Sequence, residues 1–144
     1  MLPTLSGRIQ TRIFAFLVIG TLWAQIAVYY LPGGAPTDIN RRAMYQVLLV
    51  AGVLGIGWEL IYHGLMQFRW EKDWPTLFGL ITVLNEGALA FAVLRAGVFD
   101  TTEHLPFSTF AVGFGTTWIV LWLFFNGPMR IFTVHWRFRG GRLL

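Results

Sequence analysis

The sequence contains no cysteine, which excludes disulfides, thiolate metal sites, iron–sulfur ligation and thiol nucleophiles, and leaves no trace of the compartment's redox state. Charge is also scarce. Only 12% of the 144 residues are Asp, Glu, Lys or Arg, against roughly 25% in an average globular chain. A glycine-rich phosphate loop, a nucleophile elbow, a zinc motif, a nucleic-acid module and a visible internal repeat are absent too. No cofactor and no catalytic residue is expected on these grounds. What the chain does have is apolar bulk: 56% hydrophobic residues and a mean hydropathy of +0.60 exceed what a 16.4 kDa soluble fold buries inside itself. Lipid must cover the excess.

A formal charge of +4 would suit nucleic acid, but the basic residues flank apolar runs and form no exposed basic patch, so no nucleic-acid partner is expected. They read as topology signals. The first apolar run, Ile13 to Leu31, is longer than a signal-peptide core of roughly 7 to 15 residues. It also lacks a small-residue cleavage site before Pro32, and reads as a retained anchor and first span.

The resulting expectation is an all-α integral membrane protein, a bundle of four transmembrane helices with short loops, at about 13–31, 43–66, 75–99 and 107–125, followed by a basic interfacial tail, 126–144. Each span measures about 19 to 25 residues, which at about 1.5 Å per residue crosses a hydrocarbon core of about 30 Å with modest tilt. Pro32-Gly33-Gly34-Ala35-Pro36 ends the first span. Thr37 to Asn40 supply N-cap candidates for the second, Arg69 to Asp73 close it, and Pro75 suits the first turn of the third. The loop Asp100 to His104 separates the third span from the fourth.

Orientation follows the Lys and Arg near span ends. Arg8, Arg12, Arg69, Lys72, Arg130, Arg137, Arg139 and Arg142 gather on one side, against Arg41, Arg42 and Arg95 on the other. Both termini are therefore expected on the cytoplasmic side of a cell inner or plasma membrane, with outer loops too short to hold a folded domain. Past the break at Asn126-Gly127-Pro128, the tail mixes Arg130, Arg137 and Arg139 with Trp136, a composition suited to anionic head groups. Trp70, Trp74 and Trp136 read as an aromatic belt; Trp23, Trp58, Trp118 and Trp122 lie deeper and read as packing bulk.

Ionisable groups inside the apolar runs carry the functional question, since each is costly at membrane depth and faces protein or water. Glu59 and His63, at i and i+4, share a face of span two with Gly52 and Gly55. Glu86 shares a face of span three with Gly79, Thr82 and Ala90, and Asn85 adjoins it. Gly20, Ala24 and Ala27 in span one, and Gly113, Thr116 and Thr117 in span four, are comparable small-residue seams. Counting along the helices puts Glu86 near the midplane, Glu59 roughly 7 Å toward the cytoplasm and His63 roughly 6 Å beyond it. Each carboxyl is expected neutral unless a cation, an arginine or water pairs with it; His63, Asn85, Gln25 or helix backbone are the candidate partners. Arg95, near the outer end of span three, is expected to reach Asp100, Glu103 or head groups.

Three readings follow. The chain is an accessory or structural subunit of a larger membrane complex, whose partners satisfy the buried carboxylates. Or it is an oligomeric transporter or channel in which Glu59 and Glu86 carry protons or cations. Or Glu59 and His63 act as acid and base on a lipid-like substrate, although no nucleophile or substrate cue accompanies them. A metal held by Glu59, His63 and Glu86 would have too few ligands for a closed structural site, so none is expected.

Overall fold

The computed structural model describes residues 4–68, 76–100 and 104–138, and no side chain of Thr76 or Arg137. The run Arg69 to Asp73, Trp70, Trp74, Pro75, Glu103, Arg139 and Arg142 therefore lie outside the described residues. Among those described the chain is helical and has no strand. Four helices are long and apolar enough to cross a membrane: Leu5–Ala27, Thr37–Gln67, Leu77–Arg95 and Phe107–Phe132. Large apolar side chains cover their outer surfaces, as Leu17, Val53, Leu84 and Leu123 illustrate. This is the surface of a multi-pass membrane protein, with lipid as the solvent of its outer faces.

Span one begins eight residues before the apolar run and ends four before its end. It is built from α1 (Leu5–Phe14), a π-helical stretch (Ala15–Gly20) and α2 (Thr21–Ala27). Thr4 starts it by accepting from the backbone N–H of Gly7 at 3.0 Å. On an uninterrupted α-helix Arg12 and Ala24 would point about 120° apart, because each residue advances about 100°. The wider π turn advances less per residue, so both side chains face the bundle.

Span two, α3 (Thr37–Gln67), contacts each of the other spans. Pro36 occupies its N-cap without a side-chain cap. Asn40, one of the expected caps, instead donates back to the carbonyls of Val28 and Ala35 and ties the helix start to the preceding turn. In that turn Gly33 and Gly34 have φ of +109° and +69°, backbone that side chains oppose. The hydroxyl of Thr109 donates to the Pro32 carbonyl at 2.7 Å and pins the turn to span four.

Span three consists of α4 (Thr76–Ile81) and α5 (Val83–Arg95), divided at Thr82. At this break the Gly79 carbonyl accepts from the Thr82 hydroxyl and from the Trp118 indole, at 3.1 and 2.9 Å. Competing donors of this kind are a recognised cause of helix kinks. Span four comprises α6 (Phe107–Asn126) and α7 (Pro128–Phe132), interrupted at Gly127, and Thr133 separates α7 from α8 (Val134–Phe138). A ladder of rings, Phe91, Phe110, Phe114 and Trp118, fills the seam between spans three and four with centroids 5.0 to 5.5 Å apart.

A candidate site built on an arginine clamp

The centre of the bundle holds charge. Arg8 and Arg12 are i and i+4 on α1, so both project from one helical face. They do not flank the membrane span as free topology signals; they enter it. Arg8 Nε donates to Glu59 Oε2 at 2.7 Å and its Nη1 approaches the Met66 sulfur at 2.9 Å. Arg12 bridges two helices. Its Nε and Nη2 donate to Glu59 Oε1 at 2.8 and 2.5 Å, and its Nη1 and Nη2 donate to Glu86 Oε2 and Oε1 at 2.6 and 3.2 Å. Two guanidinium groups thus meet two carboxylates, and the cluster is charge-neutral. Its side chains are only 3 to 15% exposed.

The network continues outward. The Tyr62 hydroxyl donates to Glu86 Oε1 at 3.0 Å, and Asn85 donates to the Tyr62 oxygen at 2.8 Å. The Arg12 guanidinium lies 5.9 Å from the ring centroid of Phe16 and 5.7 Å from that of Trp118, so aromatic faces cover the charge on the sides the carboxylates leave open. Trp118 is thus more than packing bulk: the cation beside it belongs to the protein itself. Close approach of span one depends on Gly55. A Cβ there would sit 2.5 Å from Arg12 Cδ and 2.7 Å from its Nη1. The Gly52–Gly55 side of span two is the slot through which Arg12 reaches the carboxylates.

The residues singled out from the sequence divide around this centre. Glu59 and Glu86 are brought together through Arg12, with Asn85 in the outer shell of the network. The structure corrects the expected partners: arginines of span one engage the two carboxylates, and no second chain is needed to satisfy them. His63 does not join. It is half-buried, no hydrogen bond links it to Glu59, and its buried Nδ1 has no partner among the described residues. Gln25 is bonded to the Tyr45 hydroxyl, away from both carboxylates. Arg95 donates to the Leu105 carbonyl at 3.2 Å and lies over the Phe91 ring, while Glu103, one of its expected partners, lies outside the described residues. Among the described residues no three His, Cys, Asp or Glu side chains gather as a metal-ligand group.

Beside the clamp lies a cavity of about 350 Å³, lined by residues of all four spans and by Trp136 of the tail. Glu59, Arg8 and Arg12 form its polar wall; Phe78, Trp122 and Phe125 belong to its aromatic walls; Arg130 stands at its edge. Trp136, read from the sequence as interfacial, folds back over the bundle. Its indole donates to the Thr11 hydroxyl at 2.8 Å and its ring stacks on Phe125. Arg130 is exposed, whereas Arg139 and the Arg137 side chain fall outside the described residues.

Comparison with family models, with curated proteins and with solved structures finds no match to this chain. The functional reading rests on the geometry alone.

That geometry limits the chemistry. Every oxygen of Glu59 and Glu86 accepts at least one hydrogen bond, and a guanidinium stays protonated in proteins. Arg12 therefore stands between the two carboxylates as a fixed positive charge. Arg8 and Arg12 were legible as an i, i+4 pair of cations beside an apolar run that also had to pair two carboxylates elsewhere in the chain. Their hydropathy placed them outside the span because the compensating charges sit on other helices.

Proposed function

We propose that the chain is a small accessory subunit of a membrane protein complex, lying in the cell inner or plasma membrane with both termini cytoplasmic and the tail against anionic head groups. The observation that carries this reading is the closed Arg8–Glu59–Arg12–Glu86 cluster. It spends the intramembrane charges on holding spans one, two and three together, and leaves apolar outer faces as the remaining surface at membrane depth. A bundle of this kind suits packing against neighbouring helices. The orientation is supported by the other cations: with Arg8 and Arg12 engaged inside, Arg69, Lys72, Arg130, Arg137, Arg139 and Arg142 still outweigh Arg41, Arg42 and Arg95. Purification from the native membrane in mild detergent tests the proposal. A stoichiometric set of larger membrane subunits is the expected result, and a bare monomer or homo-oligomer would overturn it.

One observation favours a second reading, an oligomeric transporter using Glu59 and Glu86. Glu59 lines the cavity, where water and protons can reach it. Proton flux into proteoliposomes, lost in Glu86→Gln, would support it; unaltered flux, or none in either protein, would exclude it.

A further inference from the structure

The cavity beside the clamp combines three properties that the clamp does not require. Its volume of about 350 Å³ lies at the small end of ligand pockets, which run from about 300 to 1,000 Å³. Seven of its 18 lining residues are aromatic. Its charge does not cancel: Arg8 and Arg12 are matched by Glu59 and Glu86, whereas Arg130, on the same cavity, forms no ion pair among the described residues. Nη2 of Arg8 likewise makes no hydrogen bond to a described residue, so the polar wall retains a free guanidinium edge. One positive charge unmatched among the described residues, spare N–H donors and rings able to cover methylene groups are the features that recognise an amphiphile bearing one negative charge.

We propose that this cavity binds one anionic phospholipid of single charge, its phosphodiester held by Arg130 and the free edge of Arg8 and its first methylenes against Trp122 and Phe125. The volume admits a head group and the start of a chain, and the rest of the lipid continues into the bilayer. Trp136, bonded to Thr11 and stacked on Phe125, closes the cavity from the tail side, so the bound lipid also bridges span one to the tail. This inference rests on the reading of the tail as a contact for anionic lipid, but it adds a stoichiometric site to what would otherwise be a diffuse attraction. It requires no partner subunit.

Native mass spectrometry tests it on the full-length protein, released from nanodiscs containing equal phosphatidylglycerol and phosphatidylcholine. The expected result is one retained phosphatidylglycerol per chain, preferred over phosphatidylcholine by about tenfold, with the preference falling to near parity in Arg130→Gln. Arg130 is exposed and outside the clamp, so this variant should fold; retention in Arg130→Lys would confirm that charge at this position is what matters. Arg139→Gln/Arg142→Gln should leave the preference intact. If that double variant abolishes the preference while Arg130→Gln does not, the tail attracts anionic lipid and the cavity proposal fails. Equal retention of both lipids overturns the proposal. So does displacement of the lipid by millimolar inorganic phosphate, which would identify a site for the free anion.

Discussion

Replacing Arg12 by methionine tests the central claim that one guanidinium holds three spans together. The substitution keeps an unbranched apolar stem but removes four hydrogen bonds, two to Glu59 and two to Glu86. The consequences for the carboxylates differ. Glu59 keeps Arg8 at 2.7 Å, whereas Glu86, 3% exposed, keeps only the Tyr62 hydroxyl. One carboxylate is stranded, and breaking a buried pair from one side costs about 3 to 5 kcal/mol. At about 1.4 kcal/mol per decade, the unfolded fraction should rise by roughly two to three and a half orders of magnitude. Reversible unfolding by titrating dodecyl sulfate into mild-detergent micelles, followed by circular dichroism, measures the loss. Adding Glu86→Gln to Arg12→Met removes the stranded charge, so the double variant should be more stable than Arg12→Met alone, with a coupling of about 0.5 to 3 kcal/mol. A loss below about 1 kcal/mol for Arg12→Met, or strict additivity in the cycle, would refute the clamp.

Gly55→Ala places a methyl group against the pinned Arg12 side chain and should destabilise by about 1 to 3 kcal/mol in the same titration; in an Arg12→Ala background it should be close to neutral, and equal losses in both backgrounds would show that Arg12 is not the obstacle. Gly33→Ala combines a φ of +109° with a Cβ 2.9 Å from the Thr109 hydroxyl, so its cost of about 1 to 3 kcal/mol should exceed that of Gly34→Ala, which has open space around it. The reverse order would argue against the Thr109 pin. Trp136→Ala should free the tail and speed its proteolytic removal while changing bundle stability by only about 1 to 2 kcal/mol, the sum of one hydrogen bond and one ring stack. Trp136→Phe should fall between, and unchanged cleavage kinetics in Trp136→Ala would mean the tail is not held there.

Four spans, their order and the turns between them follow from local properties: runs of apolar residues long enough to cross lipid, broken where proline, glycine or clustered polar groups end a helix. These properties are written in consecutive residues and need no knowledge of neighbours. The glycines at 52 and 55 also announced a close approach, because a small residue on an inward face has little other use in lipid. What approaches them was decided elsewhere. Arg12 lies 47 residues from Glu59 and 74 from Glu86, so no window of sequence contains the pairing. Read locally, two arginines before an apolar run belong in the aqueous phase; only the carboxylates of two other helices make it favourable to carry them inside. Likewise Glu59 and His63 share a helical face, yet they form no bond, because the acceptors of Glu59 are taken by a helix that sequence adjacency does not reveal. Hydropathy is a sum over neighbours in the chain, whereas charge compensation is a sum over neighbours in space, and the second determined where span one begins and which residues form the site.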